Sequence, residues 1–243
     1  MNNFILITGA NDKYFNCCIS FINNLKTLSF DFNKFILYDL GIYNNTNINL
    51  LNNLQKSLNF KIKKIDYSKY PEHCDLNKYY GENCTYAWKP IIIYNEANEN
   101  QDNYIIWLDS KCRIKQHTIN KICSLIQKQG CWITISNKAG SMEAIRDFHP
   151  LCLKNMGLSE SDRKKLEMKF AGLIGFNYKH ELSKYILDEW YKYSLNKDMI
   201  CPVGSSRKNH RQDQSVLSII LYKLGNKIQL INDYCDIDKW FYK

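Results

Sequence analysis

The chain has 243 residues, of which 45% are hydrophobic and 23% are charged, so it can form an ordinary packed core and extensive disorder is excluded. Its formal net charge is +9, but the lysines are scattered and no nucleic-acid-binding motif occurs. These features argue against nucleic acid as a partner. The length fits a single domain over residues 1–243.

Cysteine spacing and hydropathy indicate the setting in which the chain folds. The ten cysteines form no CxxC pair and no zinc-ligand pattern. The N-terminus opens directly on a strand-like run, so no signal peptide is expected. No apolar stretch reaches the roughly 18 residues that a transmembrane helix needs. We therefore expect a soluble protein without a transmembrane segment, with free thiols, in the cytoplasm or another reducing compartment.

The first half of the chain alternates apolar runs with amphipathic segments. Strands are predicted at residues 4–7, 35–39, 60–67 and 104–109. Helices are predicted around residues 15–25, 44–59, 88–97 and 115–128. The polar and aromatic stretch 70–84 is expected to be a loop.

The second half continues the alternation after an irregular segment. Residues 137–165 are expected to form short helices over one end of the sheet. Strands are predicted at residues 131–135, 170–176 and 228–231, and helices at residues 178–195 and from residue 212 onward, with a polar loop at 200–210. Strands that alternate with helices predict an α/β fold with a mostly parallel sheet.

The run at residues 104–108 (YIIWL) reads as a strand buried on both faces, and it ends on Asp109. Ligands of open α/β sheets bind beyond the carboxyl ends of the strands. Asp109 is therefore a candidate to contact a polar ligand or a metal. The alternative is that Asp109 only caps the turn that follows the strand.

Five motifs stand in a fixed order along the chain. They are residues 9–14 (GANDKY), 88–90 (WKP), 107–111 (WLDSK), 170–176 (FAGLIGF) and 212–217 (QDQSVL). In this order the chain resembles the GT-A-fold, nucleotide-sugar-dependent glycosyltransferases, and most of all the glycogenin-like family. The resemblance runs from Phe4 to about Leu221.

The resemblance implies a GT-A-like (Rossmann-like) α/β domain. It also implies a hexosyltransferase that moves a sugar from a nucleoside-diphosphate sugar, a UDP-sugar, to a hydroxyl of a glycan or protein, with retention of anomeric configuration. In that family, the turn after the first strand and a nearby tyrosine hold the uracil and ribose. Asn11 and Tyr14 match that pattern, while Ala10 stands where a threonine is common. The donor-binding residues implied in this way are Thr8, Ala10, Asn11, Tyr14, Lys89, Asp109, Ser110, Lys111, Ala171 and Gly172.

The catalytic residues implied by the resemblance are Asp213 and Gln214, which match an Asp-Gln pair that borders the donor sugar. Asp213 would orient sugar hydroxyls or support positive charge at the reacting carbon. The alternative is that Asp213 only caps its helix. Further contacts to the diphosphate or the acceptor are predicted for Arg207, His210 and Arg211.

The chain departs from the family at the metal. Asp109 matches the first acid of the Asp-x-Asp motif, which touches the ribose and the metal, but Lys111 replaces the second acid. No histidine follows His210 to match the family's late metal ligand. A Mn²⁺ or Mg²⁺ ion would therefore have Asp109 alone. Either another acid completes the metal site, or Lys111 or Arg207 supplies positive charge directly.

Two other readings stay open. Residues 7–11 (ITGAN) are similar to the first turn of NAD(P)-dependent short-chain dehydrogenases, but no glycine follows Gly9 until Gly41, and a dinucleotide turn needs more. The Tyr-x-x-x-Lys spacing at Tyr193 and Lys197 is expected by chance in this composition. Loss of the second acid at Lys111 would also suit a catalytically inactive nucleotide-sugar-binding protein.

Overall fold

The computed structural model describes residues 4–28, 34–79, 85–135 and 146–228. The strands in these ranges form a single sheet. They are β1 (Phe4–Ala10), β2 (Lys34–Asp39), β3 (Lys61–Lys63), β4 (Tyr104–Leu108), β5 (Cys131–Ile135) and β6 (Lys169–Asn177). Their order across the sheet is β3-β2-β1-β4-β6-β5.

Helices connect these strands and cover both faces of the sheet. The α-helices are α1 (Phe15–Lys26), α2 (Asn45–Leu58), α3 (Trp88–Glu99), α4 (Gln116–Gln129), α5 (Pro150–Asn155), α6 (Glu160–Arg163), α7 (Glu181–Ser194), α8 (Lys197–Ile200) and α9 (Asp213–Lys223). Short 3₁₀ turns lie at Asp12–Tyr14, Tyr67–Lys69, Glu72–Cys74 and Gly225–Lys227. No helix in the described ranges is long and apolar enough to cross a bilayer.

The sheet is mixed, with one strand reversed. β1 pairs in parallel with β2 and β4, and β2 pairs in parallel with β3. β6 lies antiparallel between β4 and β5. Five of the six strands therefore run in one direction, which confirms the predicted mostly parallel α/β sheet flanked by helices. The reversed strand β6 contains Gly172 and Gly175, and apolar patterning carries no information about strand direction.

Alternate residues of β4 point to opposite helical layers, as the two-residue period of a strand requires. Ile105 and Trp107 pack beneath α3, α7 and α9. Ile106 and Leu108 pack against α1 and α4. β4 is thus buried on both faces, as its apolar sequence predicts, and its end is held rigidly between the two layers.

Several helices and strands differ from the predicted ones in length or position. The expected strand 60–67 is only the three residues of β3, followed by a 3₁₀ turn. Short helices are present as α5 and α6, while residues 136–145 lie outside the described ranges. Helix α8 was not predicted. The predicted strand 228–231 lies outside the described residues beyond Ile228. The cysteines within the described ranges are all free thiols, as expected.

A buried acid joins α3 to the outer strands. Glu96 is 0% exposed, accepts a hydrogen bond from the Tyr38 hydroxyl at 2.7 Å and pairs with the Lys63 ammonium. Lys63 also lies 3.2 Å from Glu99, whose side chain is 61% exposed. Lys63 therefore has one buried and one exposed acidic partner, so the contributions of the two ion pairs to stability can be compared directly.

We expect Glu96→Ala to lower the free energy of unfolding by about 2–4 kcal/mol, because it leaves Tyr38 and Lys63 without their buried partner. Glu99→Ala, which removes the exposed partner of the same lysine, should cost less than about 1 kcal/mol. Urea unfolding of both variants measures the difference. Equal losses in the two variants would contradict a stabilising role for the buried network.

Candidate active site

The end of β4 is joined to the start of the reversed strand β6. The backbone N–H of Asp109 donates to the carbonyl of Gly172 at 2.8 Å. A Cβ at position 172 would lie 2.7 Å from Asp109 Oδ2 and 2.5 Å from Phe170 Cζ. Glycine at this position therefore leaves room for the Phe170 ring and the Asp109 carboxylate. Because β6 is antiparallel, residues near its beginning meet the carboxyl edge of the sheet.

Lys89 reaches this edge from the first turn of α3. Its Nζ lies 3.0 Å from Asp109 Oδ1, 3.7 Å from Asp213 Oδ2 and 3.4 Å from the Ala171 carbonyl. The residue is only 5% exposed. Burial opposes its charge, but the nearby Asp109 and Asp213 carboxylates raise the pKa of Lys89 above its usual value. Lys89 is therefore a permanently charged ammonium inside the protein.

Asp213 is the first helical residue of α9, and Gln212, not Asp213, is the N-cap. The side chain is buried, and its Oδ2 has no hydrogen-bond partner among the described residues. The Trp190 indole donates to the Asp213 backbone carbonyl at 2.9 Å and fixes the start of the helix. Burial raises the pKa of Asp213 to about 6, against the opposing effect of Lys89. A carboxylate held in this way costs stability and is available to a ligand.

Asp109 is oriented by Trp107, which is not among the predicted site residues. The Trp107 indole nitrogen donates to Asp109 Oδ1 at 2.9 Å. Burial alone would raise the pKa of Asp109, but Lys89, Lys111 and the Trp107 hydrogen bond hold it below its usual value. The signal for this contact was the two-residue spacing, since residues i and i+2 of a strand share one face.

Two strained residues precede the helices that carry the site. Tyr86 has φ +54° and Gln212 has φ +43°, in the region that non-glycine residues rarely adopt. Tyr86 lies just before α3, which carries Lys89, and Gln212 lies just before α9, which begins at Asp213. Strained backbone of this kind concentrates at functional sites, where the surrounding structure enforces it.

The turn after β1 lies at the same edge, because β1 and β4 are parallel neighbours. The Asn11 side chain accepts from the Tyr14 N–H at 3.3 Å and caps the 3₁₀ turn. Thr8 is 0% exposed and donates its hydroxyl to the Leu108 carbonyl at 2.6 Å. Thr8 and the buried Ala10 therefore support the edge from within, whereas Asn11 and Tyr14 are partly exposed on it.

The loop before α9 has an exposed part around Arg207, which we call the rim, and a buried part at His210. The Arg207 guanidinium lies over the Tyr86 ring, 5.5 Å from its centroid, and donates to its hydroxyl at 3.1 Å. The charge of Arg211 lowers the pKa of Asp213 and so acts at the cluster. His210 differs: it is 0% exposed, and its Nε2 lies 3.1 Å from the Ile200 carbonyl.

The buried position of His210 does not fit the predicted contact with a diphosphate or acceptor. Its Nδ1 accepts from the His149 backbone N–H at 3.4 Å, so both ring nitrogens already have backbone partners. Burial lowers the pKa of His210 to about 3, which keeps the ring neutral. The polar sequence of the loop suggested exposure, but the ring packs inward beneath the rim.

The remaining predicted residues frame the site. Ala171 and Gly172 lie on β6 beside Asp109, and Ser110 is buried in the turn that follows it. Lys111 is exposed beyond that turn. Gln214 donates from Nε2 to the Lys169 carbonyl at 3.0 Å, which ties α9 to the start of β6. Apart from His210 and the buried Thr8 and Ala10, the predicted site residues thus lie at one edge of the sheet.

The residues that the structure describes at this edge do not fit a divalent metal ion. Asp109 Oδ1 already accepts from Lys89 and Trp107, and Lys111 stands two positions further on. Within residues 4–28, 34–79, 85–135 and 146–228, no three His, Cys, Asp or Glu side chains converge as a metal site. Divalent ions of this kind bind several oxygen ligands, and one shared carboxylate supplies too few.

The chain is similar to known proteins in its fold. A family model described as "Protein of unknown function (DUF1647)" matches residues 1–94. No curated protein sequence matches the chain. Galactosyltransferase LgtC in complex with donor and acceptor sugar analogs is 13% identical with a TM-score of 0.51, over 88% of this chain and 69% of that one.

Two eukaryotic enzymes are similar at the same level. The mannosyltransferase Ktr4p from S. cerevisiae is 9% identical with a TM-score of 0.54, over 90% of this chain and 65% of that one. The chain thus spans just under two thirds of Ktr4p. Mouse xyloside xylosyltransferase 1 in its apo form is 13% identical with a TM-score of 0.52, over 95% of this chain and 85% of that one.

The chain has the GT-A glycosyltransferase fold. This confirms the fold class and the resemblance to GT-A enzymes, and it does not favour the short-chain-dehydrogenase reading. The narrower resemblance to the glycogenin-like family stays a prediction, as do the roles of the individual site residues and the single-domain organisation of residues 1–243.

The opposite pKa shifts of the two acids predict opposite effects of amide substitution. At pH 7 we expect Asp213→Asn to raise the free energy of unfolding by about 1–3 kcal/mol, because it removes a carboxylate whose raised pKa costs stability when it ionises. This gain should shrink as the pH falls from about 6 and vanish below about 4, where Asp213 is protonated in both states.

Asp109→Asn is the matched comparison and should lower stability at pH 7, since the lowered pKa of Asp109 stabilises the folded protein above its unfolded pKa. Urea unfolding between pH 4 and 7 measures both variants. A loss of stability in Asp213→Asn at pH 7 would contradict the description of Asp213 as a costly buried acid.

Proposed function

We propose that this protein is a glycosyltransferase that moves a sugar from a nucleoside-diphosphate sugar to a hydroxyl acceptor on a glycan or protein. The observation that carries the proposal is the cluster of the buried Lys89 and Asp213 with the partly buried Asp109 at the carboxyl edge of a GT-A sheet. Such clusters of perturbed ionisable groups are typical of catalytic sites. The matching order of the sequence motifs supports the same conclusion.

The reaction breaks the bond between the anomeric carbon and the diphosphate, which leaves with the electron pair. The acceptor oxygen then bonds to the anomeric carbon, and its proton passes to an oxygen of the departing diphosphate. Positive charge develops on the sugar ring, as in glycoside hydrolysis. We assign to Asp213 the role of supporting this charge and orienting sugar hydroxyls. Its buried Oδ2, which lacks a hydrogen-bond partner among the described residues, supports that assignment.

Binding of the donor is assigned to the residues around this cluster. In our proposal Asn11 and Tyr14 hold the nucleoside, and Ala171 and Gly172 allow the sugar to approach the sheet closely. Gln214 borders the sugar beside Asp213. The proposed donor is a UDP-sugar and the proposed outcome is retention, both following from the glycogenin-like resemblance.

The proposal predicts that one nucleotide sugar from a panel raises the melting temperature and is hydrolysed slowly in the absence of acceptor. Asp213→Asn should lower kcat for hydrolysis by about 100-fold or more, because an interaction made with the charged transition state is lost. Thermal shift and release of nucleoside diphosphate measure the two effects. Asp102→Asn, at an exposed acid remote from the cluster, is the control and should leave both unchanged.

The other possible outcomes of this panel distinguish the enzyme from the two alternative functions. Binding of a nucleotide sugar without any turnover in the wild type would favour the inactive binding protein over the enzyme. Stabilisation by NAD(P) and by no nucleotide sugar would overturn the proposal. Hydrolysis that Asp213→Asn leaves unchanged would remove Asp213 from the catalytic role.

Glycine at position 172 provides a second test. Gly172→Ala would force its Cβ against Asp109 Oδ2, so it should abolish nucleotide-sugar binding as well as cost about 1–3 kcal/mol of stability. Gly175→Ala is matched in strand and in crowding, since its Cβ would lie 2.5 Å from Ile126 Cδ1. It should destabilise the protein but keep binding. Equal loss of binding in both variants, measured below their melting temperatures, would contradict a specific role for Gly172.

A further inference from the structure

We propose that Lys111 supplies the positive charge that faces the donor's diphosphate, so that nucleotide binding by this protein needs no divalent metal ion. This inference rests on the proposed function and specifies how the same site holds its ligand. It concerns the one position where the chain replaces an expected acid by a base.

The Asp109 carboxylate already has hydrogen-bond partners within the protein. Its Oδ1 accepts from the Lys89 ammonium at 3.0 Å and from the Trp107 indole at 2.9 Å. Its Oδ2 faces Gly172 in close approach. A divalent ion on Asp109 would have to share this carboxylate with a buried ammonium, and like charges so close in a protein interior repel strongly.

Lys111 lies beside the cluster. It follows Asp109 by two residues in a turn closed by the bond from the Cys112 N–H to the Asp109 carbonyl at 2.8 Å. The side chain is exposed, and no carboxylate in the described part of the chain lies within ion-pair distance of its ammonium. Its charge acts at the cluster, because it helps to lower the pKa of Asp109. Lys111 is thus close to the site and unpaired by its described neighbours.

The balance of charge at the cluster also favours a cation at position 111. Above the pKa of Asp213 the buried cluster carries one net negative charge, from Lys89, Asp109 and Asp213. A diphosphate approaching this cluster needs cations nearby. An aspartate that holds a divalent ion contributes one net positive charge, and a lysine at the same position contributes the same charge by itself. Lysine ammonium groups also bind phosphates well as point charges.

The test is binding of UDP, with GDP alongside, measured by calorimetry in EDTA and then with added Mn²⁺. We expect the wild type to bind the nucleotide equally in both conditions. Lys111→Met should weaken binding by roughly 10- to 100-fold, the loss expected for a hydrogen bond to a charged group. Lys128→Met removes the same charge from an exposed position in the last turn of α4 and should leave binding unchanged.

A charge-reversal variant makes the test sharper. Lys111→Asp places a negative charge where the proposal needs a positive one, so its nucleotide binding in EDTA should be weaker than that of Lys111→Met. Equal affinities of the two variants would contradict a role for the charge at this position.

The outcomes separate this inference from the proposed function. Wild-type binding that EDTA abolishes and Mn²⁺ restores would overturn the inference and leave the proposed function intact. Wild-type affinity in Lys111→Met would also overturn it. Absence of nucleotide binding in every condition would overturn both.

Discussion

The buried ammonium of Lys89 is the constraint on which the site depends. Moving an ammonium out of water costs several kcal/mol, so it persists only where carboxylates and carbonyls surround it. Asp109 at the end of β4, Asp213 at the start of α9 and the Ala171 carbonyl of β6 provide that environment. Three elements remote in sequence are therefore held together by one charge.

The same charge explains the strain around it. Helices α3 and α9 must both begin at the cluster, and each is preceded by a residue with positive φ, Tyr86 and Gln212. Packing enforces this geometry, since Trp190 holds the first turn of α9 and Trp107 lies under Asp109. The raised pKa of Asp213 is a further cost in stability at neutral pH. Proteins keep such costs where ligand binding or catalysis requires them.

Much of the fold could be predicted from the sequence because its information is local. Apolar runs located the strands, and the acid after β4 located the edge where the site lies. The reversed direction of β6 could not be predicted, since periodicity is the same in both directions. The inward position of His210 and the contact of Lys89 with Asp109, 20 residues apart, depend on tertiary packing. Only the Trp107 contact had a local signal, its two-residue spacing from Asp109.

Replacement of the second acid by Lys111 is compatible with activity on electrostatic grounds. If the charged cluster had been lost together with the Asp-x-Asp motif, this edge of the sheet would carry apolar or unpaired side chains. Here Lys89, Asp109 and Asp213 remain in contact, with Arg207 and Lys111 outside them. Lys89 and Asp109 neutralise each other and fix the geometry, and Asp213 adds one net negative charge when it is ionised. The exposed cations outside the cluster remain available to an anion. A protein that only bound a nucleotide would need those cations but would gain nothing from the costly Asp213 carboxylate. Its presence beside them is the reason to favour an enzyme.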